Sequence, residues 1–363
     1  MASEAPRRVD QVVGALHHGD AVGNEVLAMR AILRGAGFES EIAAGEAEAR
    51  LDAERRPLAM LAADASADDA CVYHFSPGSP AHGAALAWPG RLAVVYHNVT
   101  PARFFAGWDG AAARLALAAG DELRTLAPRA ALGLAKSEFS RRDLDEAGFA
   151  RTALMPYVHR LEPEAAPSPV LLRLFGDGRA NVLSVGRLAP NKRLEDVLRA
   201  FALFQRAVPR SRLILAGDRR LEGYVHSLAS LARSLRLRER DVVLLGKVEE
   251  DELRALYASA HVYLSLSEHE GYGVPLVEAA LAGVPVLARD AGAVAETLGG
   301  AGVLVAGDAP VTVVAALLER LVRDEALRGT VLAGQGRLAA RVRAADPRAS
   351  VLDALAPVLR PAP

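Results

Sequence analysis

Short apolar runs alternate with amphipathic stretches along most of the chain. In the first half the runs are Val9–Leu16, Glu39–Ala44, Ala70–Phe75, Arg91–His97, Leu132–Ser137 and Arg151–Tyr157. Each has strand length, and helix-like segments separate most of them. The clearest helix covers Val22 to Leu33, with Val22, Val26, Met29 and Leu33 on one face and Gly35 and Gly37 as its stop. Strands alternating with helices predict a parallel sheet covered on both faces. The pattern breaks between His159 and Asp177, where Pro163, Pro167 and Pro169 mark a connection between domains.

Six more runs follow: Asn181–Gly186, Arg212–Gly217, Val242–Gly246, Ala260–Leu266, Pro285–Ala288 and Val303–Val305. Helical patterns fit Leu194–Val208, Tyr224–Leu235, Glu250–Ala258, Val274–Ala282 and Val311–Arg323. The predicted fold is therefore α/β, with two doubly wound, Rossmann-like domains facing a central cleft. They cover residues 1–165 and 166–345. The tail 346–363 carries one more short helix, Ala349–Leu359, whose docking the pattern does not place.

Composition narrows the function. The chain has 363 residues, long enough for two domains, and is 51% hydrophobic but only 5% aromatic, so its cores are aliphatic. A net charge of −1 gives no whole-chain attraction to nucleic acid or to an anionic membrane. The single cysteine, Cys71, lies in an apolar run and reads as a small buried hydrophobe, which fits a reducing cytoplasm. Met1–Asp10 lacks the apolar core of a signal peptide, and no apolar run is long enough to span a bilayer. Asn98-Val99-Thr100 matches a glycosylation sequon that would be inert without secretion.

Candidate chemistry centres on Ser267-Glu268-His269-Glu270-Gly271-Tyr272-Gly273-Val274-Pro275-Leu276-Val277-Glu278. This stretch lies between the Ala260–Leu266 strand and a short helix, on the turn where ligands bind in an open α/β sheet. A helix start offers free N–H groups and a dipole that suit a phosphate. Glu278 stands about one turn further in. A second turn, Ser184-Val185-Gly186-Arg187-Leu188-Ala189-Pro190-Asn191-Lys192-Arg193, also follows a strand and enters a helix. Gly186 allows close approach, Arg187 offers a planar fork, and Lys192 adds a point charge, so two cations could hold a diphosphate without metal. In the first half, His97 ends a strand in Tyr96-His97-Asn98-Val99-Thr100-Pro101.

Other nucleotide sites fail on their residues. Gly14 and Gly19 have phosphate-loop spacing, but Asp20 stands where a lysine is required. No Gly-x-Gly-x-x-Gly follows Leu16 or Val185, which argues against a dehydrogenase. Asp143-Leu144-Asp145 has a divalent-metal form but lies in a charged helical stretch and reads as a solvated face. His and Cys show no metal-ligand spacing, so no metal is expected.

Together these motifs resemble retaining glycosyltransferases of the GT-B fold, family 4, of the bacterial polysaccharide-building type. The resemblance rests on Glu270-x7-Glu278, on Gly186-Arg187-x4-Lys192, on Tyr96 to Pro101 with Arg103-Phe104-Phe105, and on His18-Gly19-Asp20-Ala21-Val22-Gly23-Asn24-Glu25. It implies that Arg187 and Lys192 neutralise the diphosphate of a nucleoside-diphosphate sugar. It further implies that Glu270 and the backbone of Gly271, Tyr272 and Gly273 bind donor-sugar hydroxyls. Backbone at Val274, Pro275 and Leu276 would cap the distal phosphate, Glu278 would take the ribose, and backbone at Lys247 would line the base pocket. His97 would meet the reacting sugar. Gly19, Asp20, Gly23 and Asn24, with Asn98 and Thr100, would form a loop for phosphate or acceptor. Many members carry adjacent glycines in that loop and this chain does not.

The implied reaction moves a hexosyl group to an acceptor hydroxyl, with retention, no cofactor beyond the donor itself, and no metal. A sugar, glycan or lipid-linked acceptor is implied, and so is a cytoplasmic protein, free or peripheral at the inner face of the membrane. Phe104, Phe105 and Trp108 either hold such an acceptor at the membrane surface or pack beneath their loop. A GT-B sugar-nucleotide epimerase and a non-catalytic nucleotide-sugar-binding partner remain alternatives.

Overall fold

A computed structural model describes residues 7–61, 63, 65–158 and 165–359. The expected connection from His159 to Asp177 falls partly outside them, at residues 159–164. The chain divides into two compact units. The first comprises Met1–Ala102, Ala111–Glu162 and Ala345–Pro363, and the second comprises Arg103–Gly110 and Pro163–Ala344.

The first unit is built on seven parallel strands: β1 (Val9–Leu16), β2 (Ile42–Ala47), β3 (Arg56–Pro57), β4 (Ala70–His74), β5 (Arg91–Tyr96), β6 (Leu132–Ala135) and β7 (Thr152–Leu154). Their order is β3-β2-β1-β4-β5-β6-β7, so the winding reverses between β1 and β4. Such a reversal opens a crevice at the carboxyl edge. The two-residue β3 is too short to leave an alternating pattern in the sequence.

One face of this sheet carries Val12, Cys71, Tyr73, Leu92 and Val94 with the wholly covered Trp88. The other face carries Val9, Met29, Val72, Val95 and Leu132. The helix Pro347–Leu359 closes this second face with Val351, Leu355, Val358 and Leu359. The tail is therefore part of the first unit's core.

The second unit has six parallel strands: β8 (Ala180–Val185), β9 (Ser211–Ala216), β10 (Val242–Gly246), β11 (Val262–Ser265), β12 (Val286–Arg289) and β13 (Val303–Val305). Their order is β10-β9-β8-β11-β12-β13, with the reversal between β8 and β11. Its helices cover both faces: Phe201, Phe204 and Leu318 bury against one, and Leu256, Ala279 and Leu338 against the other. The 20-residue helix Glu325–Ala344 was not foreseen, because its apolar residues form no continuous stripe. Both units are thus Rossmann-like, as the alternating pattern predicts.

Candidate functional site

The donor-side candidates converge at the reversal point of the second sheet. The chain leaves β8 through Gly186, whose φ of 138° places it in the left-handed half of the map. A Cβ on neighbouring Gly217 would lie 1.9 Å from the Gly186 carbonyl oxygen, so two strand exits run backbone against backbone. Arg187 follows; the residue is exposed overall, yet its guanidinium lies against the protein, 5.7 Å from the centre of the Phe105 ring. Burial first, and Arg220 second, lower its pKa against the pull of Asp218 and Glu270. A single turn, Pro190–Lys192, then swings Lys192 back, and its Nζ lies 2.6 Å from Glu270 Oε1. Ser184, Gly186, Arg187, Lys192, Ser265 and Ser267 line a small pocket there.

Glu270 sits on the turn after β11, where backbone contacts fix it. Its carbonyl accepts from Ala293 N at 2.9 Å, and a Cβ on Gly292 would lie 2.4 Å from the same oxygen. Thr297 donates to the Tyr272 carbonyl at 2.6 Å. Gly273, at φ 90°, starts the helix Val274–Leu281 with Pro275 in its first turn, and Leu276 N donates to Gly273 O at 3.0 Å. Gly271 lies between Glu270 and Tyr272 on this clamped turn. The helix thus points its amino end, with proline at a position that needs no donor, at the pocket side of the sheet. Glu278 accepts from the Tyr257 hydroxyl at 2.9 Å. Lys247 follows Gly246, whose φ is 76°, at the exit of β10.

Sequence reasoning missed several partners. Tyr257 holds Glu278, and its own pKa is pushed up by burial and then by that carboxylate. Asp218 pairs with Arg220 beside Arg187. Behind the pocket, Arg289 at the end of β12 reaches Asp196 and Glu268, each at 3.4 Å, and Asp196 also binds Arg193 at 2.9 Å. The signal was present: Arg289 is a charged residue closing a buried strand, which calls for partners.

The two phenylalanines of the aromatic segment pack, whereas its tryptophan stays exposed. Phe104 and Phe105 are each 7% exposed, and Phe104 lies 6.3 Å from His269. Trp108 is 44% exposed and stands edge-on to Tyr224 at 5.1 Å. Of the two sequence-based readings of this cluster, packing holds for both phenylalanines.

The remaining candidates lie in the first unit. Gly19 has φ 75°, and its N–H donates to Asn24 Oδ1 at 3.2 Å. The Asp20 carboxylate caps the helix Ala21–Gly35 by accepting from Gly23 N at 2.5 Å. A Cβ on Gly23 would lie 1.9 Å from the His17 carbonyl oxygen, so this loop closes tightly on itself. Asn98, at φ 68°, donates to Asp143 at 3.3 Å, and Thr100 is half-buried nearby in sequence.

Asp143 corrects an expectation. It accepts from the Tyr96 hydroxyl at 2.7 Å and is half-buried, and burial raises its pKa. Only Asp145 keeps to the outer face, with Arg141 and Thr152. The two carboxylates thus point to different partners.

His97 turns its side chain inward. Its Nε2 lies 3.0 Å from His74 Nδ1, and its Nδ1 lies 3.7 Å from Glu25 Oε2. Glu25, His74 and His97 are close enough to be weighed as metal ligands, a grouping that sequence spacing had not suggested.

Comparison with known proteins agrees with this layout. Residues 173–331 match the family described as Glycosyl transferases group 1. Over 173 residues the chain is 32% identical to the O-antigen chain mannosyltransferase B of Escherichia coli, covering 47% of this chain and 44% of that protein. Over 147 residues it is 30% identical to a GDP-mannose-dependent α-(1-6)-phosphatidylinositol monomannoside mannosyltransferase of Mycobacterium tuberculosis, covering 38% and 37%. The matches thus span less than half the length of these relatives. In fold, the chain is similar to Anabaena HepE in complex with UDP and glucose, with a TM-score of 0.73 at 19% identity over 95% of this chain and 99% of that one. It is also similar to the sucrose-phosphate synthase of Thermosynechococcus elongatus, with a TM-score of 0.75 at 16% identity over 96% and 97%. The two Rossmann-like units have the GT-B fold of these structures, and the match to glycosyl transferases group 1 lies within the second unit.

Proposed function

We propose that this chain is a retaining, family 4 glycosyltransferase that moves a hexosyl group from a nucleoside-diphosphate sugar to an acceptor hydroxyl. The observation that carries the reading is the meeting of Arg187, Lys192 and Glu270 at the carboxyl edge between β8 and β11, beside the start of the helix Val274–Leu281. As the glycosidic bond breaks, negative charge grows on the diphosphate. Two preorganised cations and a helix amino end meet that charge where it develops. They supply what a divalent ion would otherwise supply, so we propose a metal-independent reaction.

Lys192 and Glu270 satisfy one another before the donor arrives. On binding, Lys192 turns to phosphate and Glu270 accepts from a sugar hydroxyl, so the pair exchanges one partner each without stranding a charge. Glu278, held by Tyr257, accepts from the ribose. Backbone at Gly271 to Leu276 and at Lys247 lines the remainder of the donor. His97 serves the reacting sugar, and the Gly19–Asn24 loop with Asn98 and Thr100 serves the acceptor.

The names of the relatives support mannose as the donor sugar, and the phosphatidylinositol mannosyltransferase supports a lipid-linked or glycan acceptor. We place the enzyme in the cytoplasm, in peripheral contact with a membrane. No helix of the described residues is long and apolar enough to cross one.

The test is release of nucleoside diphosphate from UDP-, GDP-, dTDP- and ADP-linked sugars in the presence of EDTA. Slow turnover of one donor, lost in Glu270→Ala, is the expected result. Free epimer in place of transfer would favour an epimerase. Absence of both turnover and donor binding across the panel would leave a non-catalytic protein.

A further inference from the structure

The reversal point of the first sheet holds a buried chain of polar groups that the transfer reading does not use. Gln11 lies on β1, His74 ends β4, His97 follows β5 and Lys136 follows β6. Glu25 comes from the helix after β1. Gln11 Nε2 donates to the Val26 carbonyl at 3.1 Å, which leaves its Oε1 3.0 Å from His74 Nε2. His74 Nδ1 is 3.0 Å from His97 Nε2, and the two rings are stacked at 5.2 Å. Glu25 Oε1 accepts from Lys136 Nζ at 2.6 Å and from Val158 N at 3.3 Å. Gln11, His74 and Glu25 are fully buried, whereas the His97 side chain is 13% exposed.

The positions of the protons follow in order. Gln11 Oε1 can only accept, so His74 Nε2 carries the hydrogen. Burial, and then Lys136, hold His74 neutral by pushing its pKa down to about 3. A neutral imidazole has one N–H, so His74 Nδ1 accepts and His97 Nε2 must donate. Burial, His74 and Lys136 likewise hold His97 neutral. Its Nδ1 therefore keeps a lone pair, 3.7 Å from Glu25 Oε2. Among the described residues that buried oxygen has no hydrogen-bond partner.

A metal ion does not suit this cluster. The two histidine nitrogens closest together are spent on one another, and the Lys136 ammonium already neutralises Glu25. We infer that Gln11 and His74 are positioning residues that lock His97 in its Nε2–H tautomer, so that the atom His97 offers a ligand is the Nδ1 acceptor. The group it meets is then a hydrogen-bond donor such as a hydroxyl, not an anionic phosphate oxygen. This rests on the reading above that His97 serves the reacting sugar.

Nitrogen-15 NMR of histidine-labelled full-length protein at pH 7 tests the lock without any substrate. Both rings are expected as neutral Nε2–H forms. An Nδ1–H tautomer or an imidazolium at His97 would overturn the inference. Transfer assays with the donor found in the panel above add a second readout. His74→Asn presents an amide oxygen near the lost Nδ1, so it should keep both the His97 signal and the rate. His74→Leu or Gln11→Leu should mix the His97 tautomers and lower kcat by roughly ten- to a hundredfold, the scale seen for partners that orient metal-bound histidines, with donor KM little changed. A kcat loss with an unchanged His97 signal would mean a merely structural role and sink the lock. If His74→Leu does not fold, the wild-type spectrum and His74→Asn still decide. Wild-type turnover in His97→Ala, with the tautomers as expected, would sink the role of His97 in transfer and leave the lock standing.

Discussion

The two sheet-reversal points of this protein use one topology in opposite ways. In the second unit, Arg187, Lys192 and Glu270 gather charge beside a small pocket, with Lys192 and Glu270 paired at 2.6 Å and both partly exposed. In the first unit, Gln11, His74, Glu25 and Lys136 are buried, and of this network only His97 is partly exposed. Parallel strands bring polar ends to one edge in either case. Whether those ends become a binding surface or a support depends on what covers them. Charge left at the edge invites an anion, whereas charge buried with its counter-charge fixes geometry.

The sharpest way to break the comparison is to strand a charge in the sealed network. Lys136→Met leaves the Glu25 carboxylate buried without its ammonium and should cost about 3–5 kcal/mol in denaturant unfolding. The double variant Glu25→Gln/Lys136→Met should recover most of that loss. If Lys136→Met unfolds at the wild-type midpoint, the sealed network is not a buried ion pair.

Arg187→Ala or Lys192→Ala should each slow transfer by roughly 10²–10³, about 3–4 kcal/mol, with little change in stability. Equal turnover in either variant would remove the second unit's pocket from the chemistry.

Acid provides a third contrast. His74 has a folded pKa below its ordinary value of 6.5, so the unfolded chain binds the proton first. Stability should therefore fall as pH drops below 6.5 and continue falling towards about 3, with a slope approaching about 1.4 kcal/mol per pH unit from this group. Stability curves of wild type and His74→Asn across that window check it, and the variant should be flatter.

The smallest effect is expected at Tyr257→Phe. It removes the hydroxyl that holds Glu278 and should raise donor KM several-fold, about 1 kcal/mol, with kcat unchanged. A fall in kcat alone would argue against a ribose contact at Glu278.

The donor-side pocket was legible because its signals are local. Gly186-Arg187 and Lys192 share one turn, Glu270 and Glu278 share another, and glycines with a proline mark both as strand-to-helix turns. Strand positions were legible for the same reason, within a residue or two at most ends. The sealed network was not. Gln11 and His74 sit inside runs that read as apolar strands, and Glu25 and Lys136, which pair at 2.6 Å, are 111 residues apart. Only the sheet order brings them together. Asp143 misled for a related reason: its helix is charged overall, and a single inward turn toward Tyr96 leaves no periodic trace. The placement of Phe105 under Arg187 was equally invisible, since residues 103–110 join the second unit from within the first half of the chain.

The helix Pro347–Leu359 carries a consequence for how the protein is made. A ribosome synthesises this helix after the whole of the second unit, yet Val351, Leu355 and Val358 fill the core of the first. During translation the first sheet therefore waits with one apolar face covered only in part, by Met29, Ile32 and Leu33, while the second unit emerges. That interval is a window for chaperone engagement, and it ends when the helix Pro347–Leu359 arrives. A chain released at residue 344 would keep every residue of the second unit and lack the helix that completes the first unit's core.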